Sequence, residues 1–453
     1  SLMPGFDGTT IRLAVEQTSN TSGEVEGGVE VFSNDGAYIR NSTMFLTPLP
    51  DGSIRLADMN NQTGEFSLLG TAPVDPDLTI KGRLAVFASS RDPVATPSPY
   101  RDIDLDITNS EVRAVEFLIS QGSVSNPKPI TIILNDSTVH ANLESTSGDS
   151  ELSLLGNSLF AGNDTRFSNS WGLIDVRGRI VEVDDGAGGT NEVPAGSSVL
   201  DTGLQFSNRS SQFSTGTISV GAGGILSVRA GNRLYSTGKV TLVGSYDAAD
   251  ATQAITTLST LSPGYTADDL FDAFKASPSA DALLLVDGGT VDDHMISSQG
   301  ATILGRAGSI NRSTIDSSDA RLVVDNGVFS FSESWLAGSG NVDIHAGSVF
   351  SLTAGDLEDN QVVPVLSAEG LETSDLLAQP KVFAPRTLLV NNDGSVEIAS
   401  GASSDRVVEF RGNAWSNGHL LFRNRGDVVV GNQQTLQLLG DVRLENTKGI
   451  RVD

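Results

Sequence analysis

Apolar residues along this chain alternate in short runs, and glycine-rich corners interrupt the runs. In GTISVGAGGILSVRAGNRLYSTGKVTLVGS (residues 216–245), Ile218 with Val220, Ile225 with Val228 around Leu226, and Val240 with Leu242 and Val243 each put apolar groups on one face of a short strand. The corners AGG, RAGN and STG supply residues that tolerate positive φ, so the chain can turn every few residues. The same grammar returns over 327–355 and from 418 to 453. Repeated strand-and-corner units predict an all-β fold, an elongated parallel β-helix or β-solenoid with a short helical insertion.

Taken in order, residues 9–15 form a first strand with Ile11, Leu13 and Val15 on one face. Runs over 28–32, 37–45, 52–57, 65–69 and 78–88 follow, bounded by DG, TG and DP turn signals. SSRDPVATPSPYR (89–101) holds three prolines and reads as a surface excursion. Strands resume over 102–107, 112–119, 130–134, 139–143 and 152–155, and the most regular coil is expected from about Leu173 onward, beginning with GLIDVRGRIVEVDDGAGG. The Ala-, Leu- and Asp-rich stretch 248–285 breaks the pattern. Thr266 and Asp269 form a capping-box signature ahead of Leu270, Phe271 and Phe274, which predicts a helix over 266–276 ended by Ser277-Pro278. A second short helix is expected over 374–378. The resulting division is an N-terminal β region (1–100), a β-solenoid (101–246), a helix-containing insertion (247–286) and a C-terminal β-solenoid (287–453).

Length and composition agree with a coil. The 453 residues exceed what one globular core usually holds, while 38% hydrophobic and 6% aromatic residues suit a narrow core built of stacked turns. At about 20–25 residues and about 4.8 Å per turn, the coil would be on the order of 70–90 Å long. A net charge of −27 argues against nucleic acid and anionic membrane as partners. The absence of cysteine leans toward an extracellular or cell-surface location. No apolar run approaches 18 residues, and no charged segment followed by an apolar one opens the sequence, so membrane insertion is not expected.

Candidate chemistry is sparse. GxSxG, Walker-A and HExxH patterns are absent, and of the four histidines, His140, His294, His345 and His419, the two in or beside regular strand runs, His345 and His419, have no local acid or nucleophile motif. Asp292-Asp293-His294 is the one compact acid and base cluster, but neighbouring strand residues point to opposite faces. Asp102, Asp104 and Asp106 share one face of a strand and could attract a calcium ion; their spacing of about 7 Å equally fits a solvated acidic face. Trp171, Trp335 and Trp415, in the contexts SNSWG, SESWL and NAWSN, are the candidate platforms for sugar rings. Sequons at Asn20, Asn41, Asn61, Asn135, Asn163, Asn208 and Asn311 are close to the number that a Ser- and Thr-rich chain gives by chance.

The corner-punctuated strands NNDGSVEIASG, GSGNVDIHAGSVF and GTISVGAGGILSV resemble those of autotransporter passenger domains and filamentous-haemagglutinin-type adhesins, most densely over 173–453. The resemblance implies a parallel β-helix at a cell surface, with binding as its usual role. The sequence lacks the longer amphipathic strands of an outer-membrane barrel at its C-terminal end. The expected function is therefore an extracellular structural or adhesive solenoid that self-assembles into a filament, sheath or surface layer and binds surface glycans, with no cofactor unless calcium. The terminal strands, with Ile11, Leu13 and Val15 at one end and Val442, Leu444, Ile450 and Val452 at the other, would carry the self-assembly. The alternative is a polysaccharide lyase, a glycosidase or a tailspike-like glycan binder on the same scaffold.

Overall fold

The computed structural model describes residues 5–7, 10–12, 24–32, 37–46, 53–59, 66–73, 79–87, 103–120, 130–145, 150–168, 172–207, 216–235, 239–244, 248–279, 281–292, 295–353, 364–367, 387–399, 407–411, 419–432 and 434–452. They fall into two compact units, residues 1–175 with 198–216, and residues 176–197 with 217–453. Both are parallel β-coils. Asp102, Leu13, Val15, Trp171, Trp415, Asp293, His294, the expected excursion 89–101 and the expected helix over 374–378 lie outside the described residues.

In the first unit, strands stack on themselves along three faces. Gly5–Asp7, Ala37–Arg40, Ile103–Thr108, Ile130–Asn135 and Ser150–Leu155 pair in parallel along one. Thr10–Arg12, Thr43–Leu46 and Leu159–Ala161 belong to a second, and Glu24–Phe32, Thr79–Phe87, Thr165–Ser168 and Leu204–Ser207 to a third, while Thr138–Ser145 pairs with Leu159–Ala161 through its first half and with Thr165–Ser168 through its second. The strand Glu111–Ser120 serves both of the last two, bending at a register shift between Arg113 and Glu116.

A column of serines explains how the chain turns between faces. Ser42, Ser110, Ser137, Ser158 and Ser198 are all buried, and the N–H of each donates to the Oγ of the next: 3.1 Å for Ser42 to Ser110, 3.1 Å for Ser110 to Ser137 and 3.3 Å for Ser137 to Ser158. The residues just before the first three, Asn41, Asn109 and Asp136, have φ of 47°, 47° and 50°, a left-handed conformation that Asn and Asp accept most readily. The run 37–45, expected as one strand, is consequently two, Ala37–Arg40 and Thr43–Leu46, separated by this corner. A second departure lies at Ser53–Met59 and Phe66–Pro73, which form an antiparallel hairpin instead of continuing the parallel pattern.

The second unit repeats the three faces. The first holds Thr217–Val220, Lys239–Val243, Met295–Gln299 and their successors; the second holds Gly224–Arg229, Leu283–Asp287, Thr302–Gly305 and theirs. The third holds Arg233–Tyr235, Thr290–Asp292, Gly308–Asn311, Val328–Ser332, Val349–Thr353, Ser395–Ile398, Asp427–Val430 and Ile450–Val452. Met295 pairs with Thr314 and Thr314 with Trp335, so the uninterrupted turn takes about twenty residues. Inside, Phe329 and Phe350 stack with centroids 6.3 Å apart, and Phe331 meets Phe350 edge-on at 5.1 Å. At Gly338 the turn is so tight that a Cβ would sit 1.9 Å from the Ser317 carbonyl oxygen, and φ is +125°; only glycine fits there.

Two excursions leave this coil. Arg179–Asp184 and Thr190–Gly196 form an exposed antiparallel hairpin where the most regular coil was expected: the alternation of RIVEVD is real, but its partner strand lies a few residues away across the DDGAGG turn. Helices α1 (Ala248–Ser259) and α2 (Ala267–Ala276) form the other. Helix α2 is the expected one, with Thr266 as N-cap, Asp269 completing the capping box and Ser277 as C-cap. Helix α1 carries Ile255-Thr256-Thr257, poor helix formers that mask its signal in the sequence. The pair covers the second face. There the alternate residues Ile225, Leu283, Leu285, Leu304 and Val323 are buried together with Leu226, Leu284, Ile303 and Leu322, so both sides of these strands are closed off at those positions.

Candidate functional site at the terminal turn

Thr435–Leu439, Val442–Asn446 and Ile450–Val452 form the last turn described, each strand paired in parallel with the turn before. Parallel pairing in register carries the inward row from one turn to the next: Phe410 to Leu438, Phe422 to Leu444, Val428 to Ile450 and Val430 to Val452. In the earlier turn these residues are closed off, with Phe422 at 1% exposure and Val430 at 5%. On the last turn the equivalent Leu444 is 39% exposed, Ile450 43% and Val452 73%. Their side chains continue the inward row into the last turn described. The strand edges beside them carry backbone N–H and C=O groups able to pair with a further strand.

A polar column ends at the same place. Asn392 donates from Nδ2 to Asn424 Oδ1 at 2.6 Å, and Asn424 donates in turn to Asn446 Oδ1 at 2.8 Å. Asn392 and Asn424 are fully buried, whereas Asn446 is exposed. The signal for this ladder was present in NNDG, NRG and NTKG, where an asparagine precedes a glycine corner each time.

Ile11 lies in Thr10–Arg12, where it pairs with buried Met44. Val442, half-buried, pairs with Leu420. Asp104 and Asp106 lie in one strand, and Asp106 is taken up by Arg40 at 2.9 Å and by the Thr108 hydroxyl at 2.5 Å. Trp335 is half-buried at the start of its strand, on the first face.

Across turns, the structure joins charges that the sequence keeps about twenty residues apart. Asp292, 4% exposed, receives Arg233 Nε at 2.9 Å and Arg312 Nη2 at 3.0 Å, so both its oxygens are occupied. His345 Nδ1 lies 3.0 Å from Asp325, and His419 Nδ1 beside Asp441. These histidines do have acid partners, which a search of neighbouring positions could not find. Arg306 stands between Asp287 at 3.7 Å and Asp325 at 3.9 Å, and donates to the Leu258 carbonyl of α1 at 3.3 Å. Tyr265 donates to Asp287 at 2.8 Å, and burial, reinforced by the Asp287 charge, raises its hydroxyl well above the usual tyrosine value. This column ties the helix pair to the coil. No group of acids and histidines suited to holding a metal ion occurs among the described residues.

No protein-family model matches the chain, and no curated protein is similar to it in sequence.

Proposed function

We propose that the protein is an extracellular structural and adhesive β-solenoid whose terminal turn takes up a strand layer from a second copy. The observation that supports this reading most directly is the in-register parallel stacking of turn on turn, which carries the inward row unbroken through Leu444, Ile450 and Val452. Burying each more fully would contribute on the order of 1 kcal/mol, and backbone pairing along three strands would fix the parallel register. The asparagine column adds a polar constraint on that register. Stacking one end on a different surface is heterologous, so it extends into a filament or layer instead of stopping at a dimer.

Removing the whole last turn is a poor test, because it uncovers Phe410, Phe422 and Val430, which would form an equivalent end. A double substitution, Leu444→Asp with Val452→Asp, keeps the turn and places charge where stacking would bury it. Electron micrographs of the unaltered protein should show end-joined particles or filaments, and those of the double variant single particles. Single particles in both samples would refute the reading.

A further inference from the structure

The third face of the second unit carries an ordered field of small polar side chains, five hydroxyls and one amide. Strands Gly308–Asn311, Val328–Ser332 and Val349–Thr353 pair in register, which aligns Ser309, Ser330 and Ser351 in one column and Asn311, Ser332 and Thr353 in the next. The spacing that follows is about 4.8 Å between strands and about 7 Å along each strand. All six side chains are half-exposed. The alternate residues Ile310, Phe329, Phe331, Phe350 and Leu352 are buried beneath them.

Three properties set this field apart. Four of its hydroxyls are unengaged: Ser309 donates to Thr290 at 3.5 Å and the corner serines Ser313 and Ser334 donate to backbone carbonyls, whereas Ser330, Ser332, Ser351 and Thr353 have no side-chain hydrogen-bond partner among the described residues. Its three strands carry no charge: GSIN, VFSFS and VFSLT contain no ionisable residue in a chain of net charge −27, and the carboxylates of the same columns, Asp292 and Glu397, lie on the flanking strands. Its floor is rigid, since the packed rings of Phe329, Phe331 and Phe350 lie directly below. A planar, uncharged, pre-positioned set of donors and acceptors matches a polymer rich in hydroxyls and without charge of its own. An acidic polymer would gain nothing from the field and would meet the repulsion of the surrounding protein.

We infer that this face binds an uncharged polysaccharide, with sugar hydroxyls bridging Ser330, Ser332, Ser351 and Thr353 on adjacent strands. The site goes beyond end-to-end stacking and does not depend on it, since a single unassembled coil carries the whole field.

The test is co-sedimentation of the protein with insoluble cellulose, chitin and a neutral β-glucan, alongside pectate as an acidic comparison. It uses the stacking-deficient Leu444→Asp, Val452→Asp chain as background, so that loss of assembly and loss of binding are read separately. Retention is expected on at least one neutral polymer and not on pectate. The fourfold substitution Ser330→Ala, Ser332→Ala, Ser351→Ala, Thr353→Ala should lower the affinity at least tenfold. The matched change Ser297→Ala with Thr314→Ala, on the first face, should leave it unaltered. Circular dichroism and the melting temperature verify that each variant folds. Binding to none of the neutral polymers, equal binding to pectate, or full retention by the fourfold variant would overturn the proposal. So would adsorption to ice alone, the other surface that a hydroxyl lattice could fit.

Discussion

Asn424 shows how much a single polar side chain can contribute inside a narrow coil. Its carbonyl accepts from Asn392 and its amide donates to Asn446, with no water available to replace either bond at a fully buried position. Asn424→Ala should cost roughly 1–3 kcal/mol in denaturant unfolding, because the buried Asn392 amide loses one of its two acceptors and a cavity forms. An effect below about 0.5 kcal/mol would mean that the ladder is ornamental. The corner serines make the same point and also account for several sequons. In those at Asn135, Asn163 and Asn311, the hydroxyl residues Ser137, Thr165 and Ser313 are buried at corners, and Asn41 itself takes the left-handed turn conformation. Corner chemistry favours Asn, Asp and Ser close together, and N-x-S/T follows as a by-product.

Among elements, helix α2 is expected to respond to acid. Asp269 accepts the backbone N–H and the hydroxyl of Thr266, and these bonds, the backbone one first, hold its pKa below the usual carboxylate value. A depressed native pKa means that the stabilisation is fully present above the unfolded value, near 4, and is lost as pH falls through the native value. The helical signal at 222 nm should therefore weaken below about pH 4, and Asp269→Asn should flatten that part of the profile; an unchanged profile would contradict the capping role. Strand register is testable as directly, because the chain holds no cysteine. Val328 pairs with Val349, and both lie at outward positions, so Val328→Cys with Val349→Cys should oxidise to an intramolecular disulfide. Failure to cross-link under mild oxidation would place these strands out of register.

Helix α2 and the strand-and-corner grammar were legible in the sequence because each rests on local chemistry: a capping box, period-two alternation, a glycine at a turn. What stayed hidden is spread along the coil axis. The Asn392, Asn424 and Asn446 column and the clasp of Arg233 and Arg312 on Asp292 join residues a full turn or more apart. The number of residues per turn varies wherever an excursion enters, so no fixed period points to them. The hairpin at Arg179–Gly196 was misplaced for a related reason: alternation identifies a strand without naming its partner.

For the whole molecule, the proposed stacking sets a hydrophobic gain against the mutual repulsion of chains carrying −27 each. Repulsion between exposed charges reaches about 30 Å at roughly 0.01 M ionic strength but only about 8 Å at physiological strength, so salt should release the association. Sedimentation velocity across a concentration series at both ionic strengths tests this most directly. The unaltered chain should sediment as a single slow species at low salt and as a growing, concentration-dependent distribution at physiological salt, while the Leu444→Asp, Val452→Asp chain stays slow in both. A chain that remains a single species at high concentration in physiological salt, or a double variant that assembles as readily as the unaltered protein, would contradict stacking through the terminal turn.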